Sequence, residues 1–95
     1  MNELIKRTEK YRKLTEKALG KVKIAVDETG SLHHIVVDFM EMASNYLKDG
    51  KYYEDKKEYE TALASYAYAH AWLDSLARLG LVKTGKDYKL FTLYK

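Results

Sequence analysis

The side chains best suited to chemistry are three histidines, because imidazole can ligate metals and titrates near neutral pH; with no cysteine, no thiolate can assist them. His34 and Asp38 stand one helical turn apart, as do His70 and Asp74. Each pair alone is two ligands. On antiparallel helices that turn near Lys57, the pairs would sit roughly 15 Å apart along the axis, at about 1.5 Å of rise per residue. They therefore do not converge. No His-Glu-x-x-His or Glu-x-x-His motif is present to build a helical metal site. His70 is expected at the edge of the core, hydrogen bonded to a neighbour. Asp74 and Arg78 form a further one-turn pair, which reads as a surface ion pair rather than an anion site. No catalytic residue, cofactor or metal is expected, and the chain is not expected to be an enzyme.

Two surfaces carry more information than any single residue. Lys6, Lys10, Lys13, Lys17 and Lys21 fall within about 80° of one another on a helical wheel, opposite that helix's apolar stripe. Like charges at three- and four-residue steps repel, so helix stability does not account for the ladder, and a phosphate backbone or an acidic protein would relieve it. The second surface lies in the third helical segment. Opposite its core stripe stand Ala64, Ala67, Tyr68, Ala71, Trp72, Ser75 and Leu79, almost without charge. A helix packed on one side only should carry Glu and Lys there. Tyr68, Trp72 and Leu79 are expected to form an exposed aromatic patch suited to self-association or a protein partner. Nucleic-acid association through the lysine stripe is the alternative.

These surfaces need three helices to present them. Leu4, Thr8, Tyr11, Thr15, Ala18, Val22 and Ala25 recur at helical steps and predict a helix over about 2–26, with Gly20 weakening its last turn or marking a close approach. The run Asp27 to Ser31 breaks the period and offers Thr29 or Ser31 as a cap. Leu32, Ile35, Val36, Phe39, Met42, Ala43, Tyr46, Gly50 and Tyr53 predict a second helix over about 32–55. Tyr59, Ala62, Leu63, Tyr66, Ala69, His70, Leu73, Leu76 and Ala77 predict a third over about 58–79, ended by Gly80. A turn near Lys57 is favoured, since one continuous helix of about 70 Å could not bury its own stripe. In the tail, 81–95, Leu81 to Lys83 and Tyr88 to Leu93 flank Thr84-Gly85-Lys86-Asp87 and suggest a small β-hairpin leaning on the helices.

The expected architecture is all-α, a single domain over 1–95: an up-and-down three-helix bundle with a short extended or β-hairpin tail. Leu4, Tyr11, Ala18, Val22, Ile35, Phe39, Met42, Tyr46, Tyr53, Ala62, Tyr66, Ala69, Leu73 and Leu76 should form most of its core. Ninety-five residues without cysteine or proline allow one modest core and no disulfides. The net charge of +3 hides an uneven layout: residues 1–23 hold eight Lys/Arg and three acids, residues 24–79 five and ten, and residues 80–95 four and one. A basic first segment facing an acidic middle favours their docking. No stretch is apolar enough to span a membrane and the amino terminus does not read as a signal peptide, so a cytoplasmic protein is expected.

Two family resemblances sit on these helices. Tyr46-x2-Asp49-Gly50-x2-Tyr53 followed by Ala62-x3-Tyr66-x2-Ala69 is similar to one tetratricopeptide repeat, with small residues where two backbones approach and tyrosines beside them. There is no second copy and no closing proline, so the resemblance implies a helical hairpin and not a peptide-binding array. The block Tyr68-Ala69-His70-Ala71-Trp72-Leu73-Asp74, continuing through Arg78-Leu79-Gly80-Leu81, resembles the archaeal domain-of-unknown-function family number 357 over roughly residues 32–82. That family's usual Gly-Asp turn between its last two helices is here Lys57-Glu58, and its glycine after the histidine is Ala71. The resemblance implies a small soluble helical domain and supplies no activity.

Overall fold

Three helices carry the molecule. The computed structural model describes residues 2–91. Helix α1 runs Glu3–Lys21, α2 Ser31–Asp55 and α3 Tyr59–Arg78. Arg12 and Glu16 on α1 meet Glu54 and Lys51 on α2, so these two helices are antiparallel. Thr8 and Thr15 stand beside the Tyr59 and Tyr66 carbonyls, so α1 and α3 run parallel. The result is an up-down-up bundle whose Cα atoms span 47 × 26 × 16 Å. Its most extensive packing is between α2 and α3, with α1 laid mainly against α3.

The caps explain the helix ends. Asn2 Oδ1 accepts the Leu4 N–H at 2.8 Å and opens α1. Helix α2 starts differently from expectation: Gly30 is its cap and makes no side-chain bond, while the Thr29 N–H and hydroxyl both bind Asp27 Oδ1. At the other end of α2 the Lys57 N–H donates to the Glu54 carbonyl and the Glu58 N–H to the Tyr53 carbonyl, each at 2.9 Å. This two-bond cap needs a left-handed residue, and Lys57 supplies it with φ 63°. The same motif closes α3, where Gly80 takes φ 73° and Leu81 N–H reaches the Leu76 carbonyl at 3.0 Å.

Two expectations are corrected beyond the helices. The first helix stops at Lys21, not near residue 26, because Val22 turns extended and Lys23–Ile24 forms a strand, β1. Nothing lies within 4 Å of a Cβ placed at Gly20, so that glycine marks the weak last turn rather than a close approach. Strand β1 pairs antiparallel with Val82–Lys83, β2, in the register Lys23 to Lys83 and Ile24 to Val82. Here the tail's first strand finds its partner after α1 instead of within the tail. Parallel α1 and α3 deliver both chain exits to one end of the bundle, and the extended segments satisfy each other's backbone groups there. Gly85–Leu90 is a 3-10 helix where the second hairpin strand was expected to begin. The expected strand's last two positions lie outside the described residues.

The interior falls into two clusters. Ala18, Val22, Val36, Ala43, Leu73, Leu76, Ala77, Val82 and Phe91 fill the end near the strands, and Leu47, Ala62, Tyr66 and Ala69 fill the end near the α2–α3 turn. Of the expected core, Ala18, Val22, Ala62, Tyr66, Ala69, Leu73 and Leu76 are buried, whereas Leu4, Tyr11, Phe39, Met42, Tyr46 and Tyr53 are half-buried. Ile35 is 41% exposed and does not belong to the core. Helix α2 touches α1 as well as α3, so its buried side is rotated toward Val36, Ala43, Leu47 and Gly50. Gly50 is obligatory at that contact, since a Cβ there would overlap the Tyr66 ring.

Candidate functional site

Among the described residues, two sets of polar side chains converge inside the bundle, and each is internally satisfied. His70 is 9% exposed. Its Nε2 lies 2.7 Å from the Leu90 carbonyl, which can only accept, so Nε2 carries the proton. Its Nδ1 is 3.1 Å from the Thr15 hydroxyl, and Asp74 Oδ1 is 3.6 Å from Nε2. The ring thereby fastens the 3-10 helix to α3, with the buried Phe91 ring 6.2 Å away. This is the core-edge histidine expected from the sequence, with Thr15 and Leu90 as the partners that periodicity could not name.

The second set joins all three helices. Glu54 Oε1 accepts from Arg12 Nε at 3.0 Å and from the Tyr66 hydroxyl at 2.6 Å. Burial, then the bond to Glu54, pushes the Tyr66 phenol above the ordinary tyrosine range. Desolvation works against the Arg12 charge, but the neighbouring Glu54 outweighs it and holds the guanidinium firmly protonated. Among the described residues no three of His, Asp and Glu stand close enough to hold a metal ion.

The outward sides are less occupied. On α3, Ala64, Ala71 and Leu79 are exposed and Tyr68 is 51% exposed, as the charge-free face requires. Trp72 departs from expectation: it is half-buried, edge-on to Phe39 at 4.8 Å and near Tyr68 at 6.1 Å. Its indole nitrogen is buried and has no acceptor among the described residues. Trp72 therefore packs against α2 beside the patch rather than standing at its summit. Tyr46 of α2 meets Tyr68 edge-on at 4.5 Å, and together they wall an open, mostly apolar groove of about 650 Å³ with Thr61, Ala64, Ser65, Ala67 and Ala71. Ile35 and Leu32 of α2 are exposed too, so the bare apolar surface extends across both helices. Helix α1 covers the opposite side of α3, and this face is uncovered among the described residues.

The lysines of the basic stripe, Lys6, Lys10, Lys13, Lys17 and Lys21, are all exposed along α1. Lys13 pairs with Glu9 at 3.1 Å, which draws the Glu9 carboxyl below its usual range, and Lys21 reaches Asp87 at 3.8 Å. The structure thus brings the stripe together on one side and the aromatic face on another. Sequence reasoning missed the exposed α2 contribution, Leu32 and Ile35, by assigning both to the helix's inward stripe.

Residues 10–82 match the family model described as protein of unknown function, DUF357. The chain belongs to this family. The DUF357 match takes in most of α1, β1, all of α2 and α3, and the first residue of β2, and it stops before the 3-10 helix that His70 holds. No curated protein and no solved structure matches the chain. Among the described residues no helix is long and apolar enough to cross a membrane.

Proposed function

We propose that this DUF357 chain is a non-enzymatic docking module that presents the outer face of α3 to another protein surface. The observation that carries this reading is the uncharged, half-exposed Tyr68 wall beside the groove over Ala64 and Ala71. Folding alone gives no reason to keep that side apolar, and interface cores are where aromatic residues concentrate and charges thin out. The absence of chemistry follows from saturation: the inward polar groups, His70 with Thr15 and Glu54 with Arg12 and Tyr66, already serve each other. A photo-crosslinking residue at Ala71 should give protein adducts in an extract of the native host, while the same residue at Lys10 should not. Equal labelling from both positions, or none from either, would refute the reading.

A second reading rests on the five exposed lysines, which run over about 22 Å of α1. In that reading the stripe follows a nucleic-acid backbone. Binding to RNA or DNA would then fall steeply with salt and be lost in Lys10→Glu/Lys17→Glu, whereas Tyr68→Glu would leave it intact.

A further inference from the structure

We propose that the occupant of the α3 face is a second copy of this chain, docked antiparallel through α3 about a two-fold axis near residue 69; this rests on the docking reading above. Two exposed charges stand at the margins of this face, and the one acid between them on α3, Asp74, is half-buried beside His70. Glu60 and Arg78 are separated by five full helical turns, so they lie on the same side of α3, and both are exposed. A two-fold axis perpendicular to α3 reverses the helix direction but keeps each flank facing the same flank of its mate. Glu60 of one copy then meets Arg78 of the second copy, and the contact occurs twice. A parallel pairing would instead set Glu60 against Glu60 and Arg78 against Arg78.

The surface between these charges suits that arrangement. Ala67, Tyr68 and Ala71 sit outermost near the midpoint, and alanines allow two helices to approach to about 8 Å. The charged ends lie about 13 Å from the axis, so a crossing of about 20° keeps them roughly 5 Å apart laterally, while about 50° would spread them to roughly 11 Å. The geometry therefore specifies the shallow crossing of four-helix bundles, with α2 and α3 of each copy forming the four. The two half-exposed Tyr68 rings meet beside the axis and close the groove they wall.

Area also favours a copy over a lone helix. The uncovered α2–α3 face is about 30 Å long and about 20 Å wide, roughly 600 Å² in projection and more in accessible surface. A stable interface takes about 800 Å² from each partner. A single partner helix would cover about half the width, leaving Ile35 and Leu32 or Tyr68 and Ala64 bare.

The test is the molar mass in solution by sedimentation equilibrium over a wide concentration range. The wild-type chain should dimerise. Glu60→Arg or Arg78→Glu, each creating two like-charge contacts, should raise the dimer dissociation constant about tenfold. An equimolar mixture of the two variants should dimerise at least as well as wild type, because only the mixed pair matches every charge, and Lys10→Glu on α1 should have no effect. Thermal melts confirm that each variant is folded; if Arg78→Glu is not, Glu60→Arg against Glu60→Gln decides. A monomeric wild type, a dimer indifferent to Glu60, or folded single variants that do not recover on mixing would overturn the proposal. A monomer that still gives Ala71 adducts with a different protein overturns the dimer and keeps the docking reading. A monomer without adducts overturns both.

Discussion

Replacing Gly50 by alanine should destabilise this protein, against the ordinary preference of helices for alanine. In an exposed helix interior the change would stabilise by about 1 kcal/mol. Here the added methyl would lie under 3.0 Å from three carbons of the Tyr66 ring. That ring cannot swing aside cheaply: it has no exposed surface, and its hydroxyl is held by Glu54 at 2.6 Å. Forcing a methyl into such a contact costs about 1–3 kcal/mol against a propensity gain of about 1 kcal/mol, so a net loss of up to about 2 kcal/mol is expected. In a domain of this size each 1 kcal/mol lowers the melting temperature by about 4–8 °C. Urea unfolding of Gly50→Ala, followed by far-ultraviolet circular dichroism, measures the loss directly. The decisive arm is the same substitution in a Tyr66→Ala background, where the methyl enters vacated space and should stabilise by about 1 kcal/mol. If Gly50→Ala stabilises the parent chain, or if its effect has the same sign in both backgrounds, the close approach of α2 and α3 is wrong.

Three further outcomes follow from the described contacts. Lys57→Gly should stabilise by about 1 kcal/mol, since it relieves a left-handed side-chain-bearing residue; unchanged or lower urea midpoints would count against the two-bond cap. Thr15→Val keeps the shape but leaves His70 Nδ1 without its hydroxyl partner, and a loss of about 1–2 kcal/mol in thermal or urea unfolding is expected. The raised Tyr66 phenol binds its proton more firmly folded than unfolded, so the stability it contributes is complete below about pH 10 and is lost as pH climbs past the unfolded value toward the folded one. Urea midpoints should therefore fall more steeply above about pH 10 in wild type than in Tyr66→Phe, and parallel slopes would contradict the buried hydrogen bond.

The helices were legible because their apolar periods are long and uninterrupted by proline, and the turn at Lys57 because charges cut the stripe there. The strands were not. Lys23–Ile24 and Val82–Lys83 are two residues each, and only the parallel course of α1 and α3, a tertiary fact, brings them together. The same limit explains Ile35. Its spacing fits an inward stripe, yet the side that faces in depends on α1 as well as α3, and a single-helix wheel knows of neither. The exposed face of α3 was readable, because it is defined by missing charge. Trp72 was misplaced outward because its fit against Phe39 depends on the angle between two helices. The partners of His70 were beyond reach for a plainer reason: a backbone carbonyl in the tail carries no side-chain signal.

One oxygen atom of Glu54 serves Arg12 from the first helix and Tyr66 from the third while standing on the second. No helix can leave the bundle without taking a member of this cluster with it, and a half-satisfied cluster of this kind is worse than none. The molecule should consequently come apart as one cooperative unit. Slow amide protons around Arg12, Glu54 and Tyr66 should share a single opening free energy, while the strand end exchanges earlier.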